Sequence, residues 1–338
     1  MRNARFISDP RHIGKSFCRA ALVVSSLALL CLSGCGHEAS SADANGKSAS
    51  PQASSVPSAP AAETTGGFDG TRAYKHVEQL VAIGPHSAGT DGIHKAQAYI
   101  IGQLKSFGCP VEEEDFHAPS TPVGDVAMKN ILVKIPSANP NTILYASHYD
   151  TKRIEHFVGA DDGGSSTGVL LEFARLVCAR KNANTIWLAF LDGEEAFNMQ
   201  WADPDNTYGS RELAASLALA GTLRHIKAMI LVDMVGPAKP IYKRESNSTP
   251  WLTDIIWSTA ANLGYGKVFI SDKNAIEDDH LPFLQRDIPA TDVIDFENDV
   301  LSYWHTSHDT LDKIDPRTLA ITGHVLIASL PELEKKIH

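Results

Sequence analysis

Basic charge is the first thing in short supply: 30 Lys and Arg face 40 Asp and Glu, a formal net charge of -10 over 338 residues. No basic stripe with interleaved aromatics is present to neutralise phosphates, which excludes nucleic acid as a partner. Cysteine is scarce as well. Of the five, Cys18, Cys31 and Cys35 fall near the N-terminus, and the remaining pair, Cys109 and Cys178, is too few for a paired-cysteine metal cluster. Cys178 lies on an apolar helical run where a buried free thiol is the commoner state, although an exported chain leaves a disulfide with Cys109 open. No internal repeat or second domain boundary is visible after residue 67. The composition, 43% hydrophobic and 21% charged, is that of an ordinary globular protein and by itself points to no activity.

What is present begins with an address. Arg2, Arg5, Arg11, Lys15 and Arg19 precede an apolar run from Ala20 to Leu32, too short to span a bilayer comfortably as a mature helix. The run ends in Leu32-Ser33-Gly34-Cys35, which resembles a bacterial lipobox and implies removal of residues 1–34 and lipidation of Cys35; an ordinary signal peptide is the alternative. Removal takes away five basic residues and Asp9, moving the formal charge from -10 to -14. The expectation is a membrane-anchored protein facing the periplasm, with Gly36 in place of an Asp pointing to the outer membrane. Residues 35–66 are then a Ser, Ala and Pro-rich tether that cannot bury enough apolar surface to offset its ordering entropy.

From residue 67 to 338 the pattern is that of one α/β domain, with a central mostly parallel, mixed sheet flanked by helices. Ala73, Val77, Leu80 and Val81, then Ala96, Tyr99, Ile100 and Leu104, recur at helical spacing. Apolar runs at 130–135, 142–146, 185–190 and 226–232 read as strands, with helices at about 165–180 and 209–219 between the later ones. Trp251 and Trp257 read as helix residues packing on the sheet.

Polar residues that carry chemistry stand where these strands end, as expected for a parallel sheet. His148-Tyr149-Asp150 follows one run, Gly159-Ala160-Asp161-Asp162 lies just beyond it, and Gly193-Glu194-Glu195 follows another, as does Asp233. Adjacent carboxylates at a strand end point different ways, so one of Glu194 and Glu195 can bind a metal while its neighbour handles protons. Asp162, Glu195 and His305 supply two oxygens and a nitrogen and leave a fourth zinc position open.

These residues resemble the M28 zinc peptidase family, whose two-metal members use a set matched by His148, Asp162, Glu195, Asp233 and His305. The chain is similar in particular to the glutaminyl cyclase branch, through Gly193-Glu194-Glu195-Ala196-Phe197, Trp201, Tyr208-Gly209-Ser210-Arg211, Asp278-Asp279-His280-Leu281-Pro282-Phe283 and Trp304-His305-Thr306. The resemblance implies one zinc on Asp162, Glu195 and His305, polarising the γ-carbonyl of an N-terminal glutamine. It also implies Glu194 as the proton shuttle, networked with Asp233 and Asp278, and Trp201 and Trp304 as pocket walls. His148 is either a second metal ligand, with Asp233, or a donor behind the ligands; Asp150 and Asp192 are expected to orient ligands, and His280 to support Asp278. Ser147 and Thr167 stand where animal relatives carry a disulfide, so that bridge is absent. His156, His225, His308 and His324 read as solvated or capping loop residues.

The implied activity is cyclisation of N-terminal glutamine in peptides or proteins to pyroglutamate with loss of ammonia. A two-zinc aminopeptidase on the same five ligands is the alternative, and a peptide-binding lipoprotein without turnover is a third reading.

Overall fold

A computed structural model describes residues 58–337, so the expectations placed on the leader, on Cys35 and on most of the tether lie outside the described residues. Packed structure begins slightly earlier than the pattern indicated. A single 3-10 turn at Ala62–Thr64 delivers a buried Thr65, whose hydroxyl bonds the Phe68 carbonyl at 2.5 Å.

Helix α1 (Gly70–Ile83) is capped by Asp69, whose carboxylate accepts from the amides of Thr71 and Arg72, and it buries Ala73, Val77 and Leu80 along one face. Helix α2 (Asp91–Ser106) follows with Ile93, Ala96, Ile100 and Leu104 inward. Strands β1 (Val111–Thr121), β2 (Gly124–Ile135) and β3 (Asn139–His148) lead into helix α3 (Gly164–Ala179), which is buried along most of its length. A Cβ at Gly168 of α3 would meet the Ala73 carbonyl and Val77 Cγ2 at 2.8 Å, so the absent side chain is what lets α1 and α3 close on each other.

Next come β4 (Asn184–Leu191), α4 (Tyr208–Leu219), β5 (Ile226–Asp233), β6 (Tyr242–Glu245), α5 (Pro250–Asn262) and β7 (Phe269–Asn274). The short helix α6 (Leu281–Leu284), strand β8 (Ala290–Ile294), the short helix α7 (Asn298–Leu301) and the long α8 (Pro316–Lys336) complete the chain.

Six strands form one sheet in the order β1-β2-β4-β3-β5-β8. The run at 130–135 is antiparallel to both neighbours, so the parallel part is confined to β4, β3, β5 and β8. β6 and β7 pair separately as a two-stranded parallel sheet. Trp257 packs edge-on against Phe269 of that small sheet and donates to the Ile270 carbonyl. Apolar side chains fill both faces of the central strands: Ile143 and Tyr145 of β3 join the α1/α3/α8 side, and Leu144 and Ala146 join the α4 side.

Cys109 and Cys178 are joined by a disulfide, with Cα atoms 5.4 Å apart. The free-thiol expectation for Cys178 is therefore corrected: the apolar run reflects burial against the loop that carries Cys109, and burial and pairing are compatible. His324 sits in α8, not in a loop, and its Nδ1 meets the Tyr265 hydroxyl at 3.0 Å. No described helix is long and apolar enough to cross a membrane.

Candidate active site

The parallel strands deliver their C-terminal ends to one place. β3 ends on His148, β5 ends on Asp233, and the turn after β4 carries Glu194 and Glu195. The loop from β3 to α3 brings in Asp162, and the segment after α7 brings in His305. Gly163 makes the turn that aims Asp162: its φ is +79°, and a Cβ there would lie 2.9 Å from His148 Cε1.

Two groups of ligand-type atoms result, each with all atoms within 4.8 Å of one another: Asp162, Glu195 and His305, and His148, Asp162 and Asp233. Asp162 belongs to both. His305 Nε2 lies 3.2 Å from Glu195 Oε1 and 3.4 Å from Asp162 Oδ2, while His148 Nε2 lies 3.1 Å from Asp233 Oδ1 and 3.3 Å from Asp162 Oδ1. Asp162 Oδ2 and both carboxylate oxygens of Glu195 are buried and accept no hydrogen bond from within the protein. Buried acceptors without donors are costly, and a divalent cation is the partner that two carboxylates and an imidazole in this arrangement fit. His305 is held for that role by stacking on Trp304 at 3.9 Å, with Phe157 edge-on at 6.2 Å, and its φ of 51° is the left-handed strain that functional positions tolerate.

Around these residues stand supports. Asp150 accepts from the Glu194 and Glu195 amides at 3.1 and 3.3 Å, which fixes the carboxylate pair to the end of β3. Three further supports were given no role from the sequence. Asp309, four residues after His305, accepts from the amides of Asp161 and Asp162 at 2.8 and 3.1 Å and so ties the two ligand loops together. Asp161 in turn accepts from Tyr303 Oη at 2.7 Å and the Gly236 amide at 2.8 Å. Lys152, 1% exposed, places its ammonium 3.4 Å from Glu195 Oε2. A buried lysine needs a counter-charge, and Glu195 is the one it faces. Only the string His148-Tyr149-Asp150-Thr151-Lys152 hinted at it.

Two expected supports act elsewhere. His280 Nε2 meets Glu245 Oε2 at 3.1 Å instead of Asp278, because Asp278 faces the cavity while the imidazole turns behind it. Asp192 accepts from the Lys129 amide at 2.9 Å and from Gln97, on the β2 side of β4, away from the ligand groups.

Electrostatically the site is crowded with acid. Burial pushes the Glu194 carboxyl well above the usual range, with Glu195, Asp278 and Asp279 adding to the rise and His148 opposing it. Asp278 is raised well above its ordinary value by burial and by Asp233 and Asp279. For His148, burial favours the neutral ring but is outweighed by Asp233 and Glu194, which hold the imidazole well above its ordinary value. Asp162, Glu194, Asp233, Asp278 and His305 line a cavity of about 240 Å³ whose other walls include Trp201, Phe296 and Trp304.

The family model of peptidase family M28 matches residues 130–330, and the chain belongs to that family. A glutaminyl-peptide cyclotransferase of Drosophila melanogaster is 30% identical over 264 residues, covering 69% of this chain and 73% of its own length. The crystal structure of an Acidobacteriales bacterium glutaminyl cyclase superimposes with a TM-score of 0.74 at 36% identity, covering 85% of this chain and 99% of that one. A Zn-dependent exopeptidase from Parabacteroides distasonis also superimposes, with a TM-score of 0.70 at 27% identity over 81% of this chain and 98% of that one. Within the M28 family, the chain falls in the glutaminyl cyclase branch.

Proposed function

We propose that this protein is a zinc-dependent glutaminyl-peptide cyclotransferase that converts N-terminal glutamine of peptides or proteins to pyroglutamate with release of ammonia. The observation that carries the reading is Glu194: a buried, easily protonated carboxyl beside the Asp162, Glu195 and His305 group, inside a cavity walled by Trp201 and Trp304. Names and structures of the relatives support the same activity.

Asp162, Glu195 and His305 would hold the zinc, which when bound supplies Lewis-acid polarisation of the γ-carbonyl. The substrate carries its own nucleophile. The α-amine bonds to the γ-carbon as the γ-amide nitrogen departs, so one proton leaves the amine and one must reach the leaving nitrogen. Glu194 takes the first and donates the second, which a single carboxyl can do because burial, and after it the nearby acids, raise its proton affinity. Asp278 adds to that affinity, and Asp233 in turn raises the Asp278 carboxyl. Trp201 and Trp304 enclose the glutamine side chain and keep water from competing with the internal amine.

A second reading, a two-zinc aminopeptidase, is favoured by one observation: His148 and Asp233 complete a second ligand group on the far side of Asp162. One assay series separates the two. Ammonia release from Gln-peptides, abolished by chelation and restored with one zinc per chain, supports the cyclase; release of free N-terminal amino acids with two zincs per chain overturns it.

Export is part of the proposal. The Cys109–Cys178 disulfide supports an oxidising compartment. Cleavage before Cys35 and lipid attachment there, tethering the domain to the membrane through residues 35–66, would be read from the intact mass of the membrane-fraction protein; a mature N-terminus without acyl mass sinks the anchor.

A further inference from the structure

We propose that a side cavity beyond Trp201 is the subsite for the residue that follows the N-terminal glutamine, and that Glu277 selects a basic side chain there. The inference rests on the cyclase reading above and deepens it.

The side cavity measures about 160 Å³ and adjoins the main one: Trp201, Glu277 and Asp278 line both. With the glutamine side chain directed at the ligand groups, the rim shared by the two cavities offers the rest of the peptide a way out that leads straight into the second one. Beyond the rim the lining turns polar, with Asp203, Asn206, Arg211 and Gln285.

The charges there do not cancel. Arg211 donates to the Pro204 and Asn206 carbonyls, lies over the Tyr208 ring at 5.4 Å, and places Nη1 3.9 Å from Asp203. Its guanidinium is thus spent on the loop from Trp201 to Thr207, with Asp203 as its carboxylate neighbour. Asp278 is buried at the base. Glu277 is different: it is exposed, it stands on the rim common to both cavities, and it forms no ion pair among the described residues. One uncompensated carboxylate facing the departing peptide attracts Lys or Arg and repels Asp or Glu. For an exposed pair, attraction contributes roughly twofold to fivefold and repulsion a similar factor in the other direction, so the combined preference is about tenfold at low salt.

The test compares kcat/KM for ammonia release from Gln-Lys, Gln-Ala and Gln-Glu peptides of equal length, at low and at high salt, with the wild-type chain and with Glu277→Gln and Glu277→Lys. The expected result is a Lys-over-Glu ratio of about tenfold that shrinks with salt, falls to within about twofold in Glu277→Gln and inverts in Glu277→Lys. A wild-type ratio near unity, or a ratio that survives Glu277→Gln, overturns the subsite while leaving the cyclase reading intact. Failure of all three peptides to release ammonia overturns the cyclase reading and the subsite with it.

Discussion

Replacing Glu194 by Gln is the sharpest probe of the site, because it removes a proton carrier while changing almost nothing else. The side chain is 6% exposed, and its nearest charged neighbour on the imidazole side is His148 Nδ1, 3.8 Å from Glu194 Oε2. Neither the Asp162, Glu195 and His305 group nor the Asp150 bonds to the Glu194 and Glu195 amides involve the Glu194 carboxyl, so metal content and fold are retained. Removing one carboxylate from the crowd of Glu195, Asp278 and Asp279 relieves repulsion, so unfolding in denaturant occurs at the same concentration or a higher one. Loss of one general acid-base group costs about 100-fold to 10,000-fold, and because Glu194 serves both proton transfers the upper half of that range is expected. That corresponds to about 4 to 5 kcal/mol of transition-state stabilisation. Ammonia release from a Gln-peptide, read beside bound zinc per chain, measures it. Activity within tenfold of wild type with zinc still bound would remove Glu194 from the mechanism.

Lys152→Met takes away the ammonium facing Glu195 Oε2, and the expected outcome is zinc affinity weakened by about 10-fold to 100-fold in chelator competition, with Lys152→Arg recovering part of it; unchanged affinity in Lys152→Met refutes the support role. His76 is held at about 4 by burial and by the nearby Arg72 charge, and its Nδ1 meets Tyr99 Oη at 2.7 Å. Since its folded value lies below the unfolded one of 6.5, its contribution is fully present above pH 6.5 and lost as pH falls toward 4, up to about 3 kcal/mol; His76→Phe should flatten that part of the unfolding profile, and an identical slope in the variant counts against it. The Cys109–Cys178 bridge closes a loop of 69 residues, for which the chain-entropy model gives about 4 kcal/mol. Reduction, or Cys109→Ala with Cys178→Ala, should lower the guanidinium midpoint accordingly, and an unmoved midpoint contradicts a stabilising bridge.

Much of this molecule could be read along the chain. Helical spacing of Ala73, Val77 and Leu80 and the apolar runs of β3, β4 and β5 are local signals of burial, and each element formed where that pattern lay. Strand β1 and the edge strand β8 left no such trace: β1 is acidic over Glu112–Asp115, and β8 is only five residues long. Asp162, Glu195 and His305 were recognisable from their motifs, and the structure brings them together. Asp309 and Lys152 were not, because an aspartate in a turn and a lysine after a strand are ordinary surface residues until the fold shows what surrounds them.

By itself, then, the order of residues indicated most element types, the family and a candidate ligand set, since these depend on periodicity and on motif chemistry within short stretches. Tertiary structure alone decided the antiparallel placement of β2, the pairing of Cys109 with Cys178, the turning of His280 toward Glu245, and the buried contact of Lys152 with Glu195. Each of those is a distance between groups far apart in the chain, and such distances are fixed by packing, which no local pattern encodes.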